Sequence, residues 1–203
     1  MGVTARVVPD GVDVRLFKPS RPESRPLRRP AGEQLVVLFV GSLVDVKRPE
    51  VAFELARSLP RVRFVVKAGV ISKRYVPLLR EVPPNVTLVR RILTHAQMAR
   101  LYGACDVLLC PSIHEGLANV LLEAAASGLP LVAWRATSHG EFVRDGVNGY
   151  LCSSVKQAQE RLATLARDPD ERRRLGASAR RAALARSWER VVPAWASVYD
   201  SLR

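Results

Sequence analysis

Short apolar runs alternate along the chain with segments whose apolar residues recur at helical spacing. The runs are too short for a helix of ordinary length and contain many β-branched residues. Each of them therefore predicts a buried strand. The predicted strands are LVVLFVG, which ends at Gly41, then RVRFVVKAG, VTLV, DVLLCPS and LPLVAW.

The segments between the runs predict helices. RPEVAFELARSL carries its apolar residues on one face, as an amphipathic helix does. THAQMARLYGAC opens with Thr94 and Gln97 at the spacing of a capping box, in which each side chain binds the other residue's backbone N–H. NVLLEAAASG ends at Gly128, a residue that commonly stops a helix. DPDERRRLGASARRAALARSWER predicts further helices whose Arg residues face solvent.

Strands that alternate with helices and are apolar throughout predict a parallel sheet covered on both faces. The fold class expected is therefore α/β, a doubly wound and Rossmann-like sheet. At 203 residues the chain is long enough for one domain or for half of a larger enzyme. Ligands of such sheets bind at the carboxyl ends of the strands, so the loops that follow the strands are where a site is expected.

Composition is that of a globular protein, with 48% hydrophobic residues and a mean hydropathy of +0.02. No apolar run approaches the ~20 residues that a membrane helix needs, and the opening MGVTARVVPD lacks the apolar core of a signal peptide. We expect a cytoplasmic location. The basic charge leaves peripheral contact with the inner face of a membrane open.

The balance of 32 Lys and Arg against 19 Asp and Glu gives a net charge of +13, which favours anionic partners. Nucleic acid, a phosphorylated ligand and an anionic membrane surface all qualify. Residues 1–30 are expected to form a hinge-like, Arg- and Pro-rich loop. Because that loop lacks the aromatic residues on which bases stack, nucleic acid is the less favoured partner.

Three cysteines without a CxxC pair indicate neither a disulfide framework nor a zinc site. In CDVLLC, Cys105 and Cys110 would lie on opposite faces of a strand. We therefore expect buried free thiols, including Cys152. His114 and His139 are expected to be surface or loop histidines.

Two loops after predicted strands carry groups suited to a ligand. GSLVDVKRPE offers Lys47 and Arg48 just before a helix, an arrangement that suits a phosphate, although two exposed cations are the alternative. PSIHEGLANVLLEAAASG carries Glu115 before an apolar helix and Glu123 within it. A buried carboxylate must be paired or hydrogen-bonded. Hydroxyl recognition, a helix-dipole role for Glu115 and a buried salt bridge for Glu123 all remain open.

These segments resemble, in order, those of the retaining glycosyltransferases of family 4, which have the GT-B fold. PSIHEGLANVLLEAAASGLPLVA is similar to the E-x7-E signature of that family, VVPDGVDVRLFKP to its hinge segment and LFVGSLVDVKRPE to its phosphate loop. LYGACDVLLCPS, EFVRDGVNGYL and the closing SWERVVPAWASVYDSL continue the resemblance. The resemblance covers nearly the whole chain. It implies that residues 1–203 correspond to a single domain, the C-terminal one, which in that family binds the nucleotide-sugar donor.

The resemblance implies specific roles. Glu115 would bind hydroxyls of the transferred sugar, Glu123 the ribose hydroxyls, and Lys47 the diphosphate. The donor would be a UDP-, GDP- or ADP-sugar, with no cofactor and no metal ion. The implied donor-binding set is Gly41, Ser42, Lys47, Arg48, Arg90, Arg91, Glu115, Gly116, Leu117, Ala118, Asn119 and Glu123, with Glu115 and Lys47 as the catalytic residues.

The chain also departs from the family pattern. Ser42 stands where the family has an Arg in the phosphate loop, and Ala118 stands where it has a Gly close to the donor. GT-B enzymes have a second, N-terminal domain that carries the acceptor side, and the segment 186–203 resembles the helix that crosses back toward it. We expect the 203 residues alone to be inactive and to expose apolar surface on that helix, with self-association as one result. A non-catalytic anion-binding module on the same fold is the alternative.

Overall fold

The computed structural model describes residues 8–20, 35–116, 118–135 and 138–201. Most of the Arg- and Pro-rich part of the expected hinge loop lies outside these ranges, as does Leu117. Within them the chain forms one six-stranded sheet with helices on both faces. The described residues contain no helix long and apolar enough to span a bilayer.

All strands of the sheet are parallel, in the order β3-β2-β1-β4-β5-β6. This is the order of a Rossmann fold, and it confirms the predicted class. The sixth strand was not predicted, because it has four residues and begins with Gly149. The strands are β1 (Val36–Leu43), β2 (Arg63–Ile71), β3 (Val86–Val89), β4 (Val107–Cys110), β5 (Leu131–Trp134) and β6 (Gly149–Cys152).

The helices follow the strands, and their ends are fixed by local chemistry. The capping box of Thr94 and Gln97 is present at the start of the second helix. Gly128 has φ +80, the left-handed conformation that ends the third. The helices are α1 (Pro49–Ser58), α2 (His95–Ala104), α3 (Asn119–Ala126), α4 (Val155–Arg167), α5 (Pro169–Leu184) and α6 (Trp188–Asp200).

The two faces of the sheet bury separate apolar layers. One layer packs α1 and α4 against the strands and includes the fully buried Phe53 and Phe64. The other packs α2, α3 and α5 and includes Tyr102 and Leu121. The three cysteines are free and buried, as predicted. Cys105 and Cys110, however, lie in the same layer and not on opposite faces, because β4 begins only at Val107.

The N-terminal segment is anchored to the last two helices. Val12 pairs with Ser187, and the Arg180 guanidinium donates to the carbonyls of Val14, Phe17 and Ala126. Apolar side chains on α6 are exposed, as expected for that helix: Trp188, Val192, Trp195 and Tyr199.

Candidate functional site

A tight turn at the carboxyl end of β1 positions the first group of candidate residues. After the strand, Asp45–Lys47 form one turn of 3-10 helix, and Arg48 takes φ 49 before Pro49 opens α1. A non-glycine residue in this left-handed conformation is uncommon. The reversal brings Lys47 back over Gly41, whose added Cβ would lie 3.5 Å from the lysine Cδ.

Lys47 and Glu115 form an ion pair between the loops after β1 and β4. The side chain of Lys47 is 25% exposed and that of Glu115 11% exposed, so the pair is shielded from solvent on most sides. A backbone hydrogen bond of 3.0 Å from the N–H of Ile113 to the carbonyl of Val46 ties the same two loops together. β1 and β4 flank the point where the strand order reverses, which is where doubly wound sheets bind their ligands.

Arg48 follows Lys47 in the loop, and Ser42 is near the carboxyl end of β1. The Arg48 guanidinium stacks over Trp134, with its carbon 4.9 Å from the ring centroid, and its Nε lies 3.4 Å from a Glu50 oxygen. The cation is therefore held over the end of β5. Ser42 faces Gly69 closely, since a Cβ added to that glycine would lie 3.0 Å from the serine Oγ.

Glu123 lies within α3 and is half-buried. The Tyr102 hydroxyl donates to its Oε2 over 2.8 Å. Burial raises the pKa of Glu123, while the Tyr102 hydrogen bond and the neighbouring His95 oppose that rise. The carboxylate forms no salt bridge with any residue that the structure describes. The described residues therefore do not contain the buried salt bridge that was one interpretation of Glu123.

Tyr102 is the residue of this site that sequence reasoning missed. It is fully buried, and its ring packs edge-on against Phe17 at a centroid distance of 5.8 Å. Burial raises its pKa well above the ordinary value, so it remains a hydrogen-bond donor at neutral pH. The one available signal was a phenol at an apolar position of α2, which requires a hydrogen-bond partner when buried.

The remaining predicted residues are distributed more widely. Gly116 is exposed, Ala118 is buried at the N-cap of α3, and Asn119 is its first residue. Arg90 and Arg91 follow β3 and are exposed. β3 lies three positions from β4 in the sheet, so about 14 Å separates those strands at a spacing of about 4.8 Å. The structure does not join the two arginines to the Lys47–Glu115 pair by any contact between described residues.

Cys110, at the end of β4, and His139, in the connection after β5, are both buried. His139 lies in the connection between β5 and β6, which agrees with its prediction as a loop residue, but it is fully buried and not at the surface, whereas His114 is exposed. His139 Nδ1 lies 2.9 Å from the Trp134 carbonyl oxygen, and its Nε2 lies 3.7 Å from Cys110 Sγ. Burial raises the pKa of the Cys110 thiol to about 11, so it is not a thiolate nucleophile at neutral pH. The described residues contain no cluster of three or more metal-ligand side chains.

Comparison with known proteins agrees with this geometry. The family model of the glycosyl transferases group 1 matches residues 20–182. The D-inositol 3-phosphate glycosyltransferase of Mycobacterium tuberculosis is 31% identical over 208 residues, covering 95% of this chain and 43% of that protein. The chain thus spans less than half the length of the curated relatives that it matches.

Solved structures of larger proteins contain the same fold. Sucrose-phosphate synthase from Thermosynechococcus elongatus superimposes with a TM-score of 0.88 at 25% identity, over 97% of this chain and 52% of that one. The Anabaena protein HepE in complex with UDP-glucose gives 0.85 at 22% identity, over 97% and 57%.

A solved single domain matches as well. The C-terminal domain of a glycosyl transferase group 1 protein, LpcC, from Francisella tularensis gives a TM-score of 0.72 at 22% identity and is covered over 97% of its length, with 86% of this chain. Sheet order, motif order and the family match all agree. The chain belongs to the glycosyl transferases group 1 family and has the Rossmann-like fold of the C-terminal half of a GT-B enzyme.

Proposed function

We propose that this chain is the donor-binding half of a glycosyltransferase that moves a sugar from a nucleotide sugar to a hydroxyl acceptor. The observation that carries the proposal is the Lys47–Glu115 ion pair, which unites the loops after β1 and β4 at the ligand-binding edge of the sheet. Related structures contain UDP or UDP-glucose, which supports a nucleotide sugar as the ligand class.

Lys47 acts on the diphosphate. As the bond between the anomeric carbon and the diphosphate oxygen breaks, its electrons pass to the leaving diphosphate, whose charge increases. An ammonium group fixed beside that oxygen stabilises the transition state more than the ground state. Because an ammonium carries three protons, Lys47 can keep its contact with Glu115 and still donate to the diphosphate. Arg48, held over Trp134, is a second cation on the same loop.

The two carboxylates divide the recognition of hydroxyls. Glu115 is close to Lys47 and therefore takes the hydroxyls of the sugar next to the diphosphate. Glu123 lies further along the chain, inside α3, and takes the ribose hydroxyls. Its second oxygen is available for this, since the Tyr102 bond is to Oε2. The backbone N–H groups at the start of α3, around Ala118 and Asn119, add the positive end of the helix dipole.

Reaction with retention of configuration, without a metal ion, is the mechanism that the family resemblance favours. The family resemblance implies that the acceptor side belongs to an N-terminal domain, and the curated relatives, which are more than twice as long as the part that this chain matches, leave room for one. The 203 residues alone are therefore proposed to bind the donor without transferring the sugar.

A lysine substitution tests the diphosphate contact. UDP, GDP and ADP are titrated calorimetrically against the wild type and Lys47→Gln, together with uridine, guanosine and adenosine. We expect Lys47→Gln to weaken the preferred diphosphate by about tenfold or more, since a hydrogen bond to a charged group contributes about 1.5–3 kcal/mol. The matching nucleoside should be unaffected.

Lys156→Gln is the matched control, because Lys156 is exposed on α4 and its loss changes the net charge equally. Equal losses in Lys47→Gln and Lys156→Gln would show that only overall charge attracts the ligand. That result would refute the donor-site proposal and favour the anion-binding module.

A further inference from the structure

A cavity lies between the segment 141–148 and the C-terminal half of α5. Its volume is about 530 Å³, within the range of small-molecule sites. Three arginines line it, Arg144, Arg181 and Arg186, against a single acidic residue, Glu141. The cavity is therefore a concentrated positive feature of a chain whose net charge is already +13.

Contacts with neutral groups hold two of these guanidinium groups in place. Arg186 lies over the buried Phe142 ring, with its carbon 5.4 Å from the centroid, and its Nη2 is 3.5 Å from the Glu141 carbonyl oxygen. Arg181 Nη2 donates to Ser178 Oγ over 3.3 Å. None of the three arginines forms an ion pair with a carboxylate of the described residues, so no such carboxylate competes with an anionic ligand for their charges.

The wall opposite α5 is rigid. Asn148 is only 2% exposed, donates its amide to the Phe142 carbonyl over 2.9 Å and accepts the Arg144 N–H over 2.7 Å. Gly146, with φ +71, makes the turn that places these groups. A site built in advance binds its ligand without the entropic cost of ordering a loop.

We propose that this cavity binds a phosphomonoester. Several guanidinium groups around one cavity suit a phosphate, which presents three acceptor oxygens and about two negative charges. The volume is too large for a phosphate ion alone, and Val147, which is 46% exposed, offers apolar surface to the rest of the ligand. The ligand is thus a phosphorylated small molecule or a phosphate-bearing lipid headgroup.

This site is distinct from the one between the loops after β1 and β4. Its residues come from the segment 141–148, from α5 and the two residues that follow it, and from Pro9, and none of them is a predicted donor-binding residue. The proposal therefore does not depend on the proposed transferase function.

The test uses the whole 203-residue chain and defined probes. Inorganic phosphate, ribose 5-phosphate and ribose are titrated calorimetrically at about 150 mM salt, which screens exposed charges beyond about 8 Å. We expect ribose 5-phosphate to bind more tightly than phosphate, and ribose not to bind. The variant Arg144→Gln with Arg181→Gln should weaken ribose 5-phosphate by tenfold or more. Both positions are exposed, so the fold should be retained.

Arg100→Gln with Arg167→Gln is the matched control, since it removes the same charge from exposed positions of α2 and α4. Vesicles of phosphatidylcholine with and without phosphatidic acid distinguish a lipid from a soluble source of the same phosphate. Binding of either source that is lost in the cavity variant and kept in the control supports the proposal. Equal effects of the two double variants, or no binding of any phosphate probe at millimolar concentration, would overturn it.

Discussion

Glu123 needs a hydrogen-bond donor more than other residues of the site, because it is a half-buried carboxylate in an apolar helix. Burial raises its pKa, and the hydroxyl of Tyr102 is the donor that limits this rise. The pair thus keeps one carboxylate oxygen oriented inside a helix whose other neighbours, such as Leu122 and Ala124, are buried apolar groups. In the proposed site, Tyr102 is a positioning residue for the group that recognises ribose.

Tyr102→Phe should weaken nucleotide binding and lower the free energy of unfolding by about 1–2 kcal/mol at pH 7, because Glu123 loses its donor. Tyr150→Phe is the control, since it removes an equivalent 2.8 Å bond to Glu171 on another part of the sheet. Calorimetric titration and urea unfolding check the pair. If both variants bound the nucleotide as the wild type does, Tyr102 would have only a structural role.

The raised pKa of Glu123 predicts a pH dependence of stability. The folded chain holds the proton of the Glu123 carboxyl group more tightly than the unfolded chain does, where the pKa of this group is near 4.5. As pH rises from about 4.5 through the raised value, ionisation costs more in the folded state, and stability is lost. The free energy of unfolding of the wild type relative to Glu123→Gln should therefore fall across this window.

Urea unfolding of the two proteins between pH 4 and 8 measures this difference. Glu54→Gln, at an exposed position of α1, is the control for the loss of a surface carboxylate. A difference between the wild type and Glu123→Gln that does not change with pH would contradict the account.

Candidate site residues could be identified from the sequence, but most of the contacts between them could not. Glu123 was visible as the polar residue of an apolar helix. Its partner Tyr102 was not, because the contact joins two helices and local periodicity carries no information on it. The ion pair of Lys47 with Glu115, 68 residues apart in sequence, was not predicted; the family resemblance gave the two residues separate roles in one donor site.

At the scale of elements, local signals predicted most of the fold. The capping box of α2 and the Gly128 stop of α3 are written in adjacent residues and were confirmed. β6 was missed because a four-residue strand that starts with Gly149 has little propensity of its own, and pairing with β5 forms it. That glycine is required, since an added Cβ would lie 2.2 Å from the Leu131 carbonyl oxygen.

A close approach of backbones fixes how α5 crosses the sheet. A Cβ added to Gly176 would lie 2.2 Å from the carbonyl oxygen of Gly128, in the turn between α3 and β5. Gly176→Ala should lower the free energy of unfolding by about 2 kcal/mol, although alanine favours helices, because overpacking against backbone typically costs about 1–3 kcal/mol.

Gly140→Ala is the matched control, because an added Cβ there meets no atom within 4 Å. Its free energy of unfolding should change by less than about 0.5 kcal/mol. Thermal or urea unfolding distinguishes the two variants, and equal stability of both would show that α5 can shift to accept the methyl group.

At the scale of the molecule, the parallel sheet brings the chemistry together. The reversal of strand order between β1 and β4 places two loops, far apart in sequence, at one edge. The position of that edge followed from the α/β pattern alone. The net charge of +13 is consistent with anionic ligands at this edge and at the arginine-lined cavity.

The measurement that tests the account most directly is a calorimetric titration at moderate salt of UDP, GDP and ADP and their sugar conjugates. The wild type is compared with Glu115→Gln, Glu123→Gln and the control Glu54→Gln. One base should bind selectively. Glu123→Gln should weaken the binding of both the nucleotide and its sugar conjugate. Glu115→Gln should weaken the binding of the conjugate only, and Glu54→Gln should weaken neither. Binding without base selectivity that fades with salt and is unchanged in all three variants would contradict the donor site.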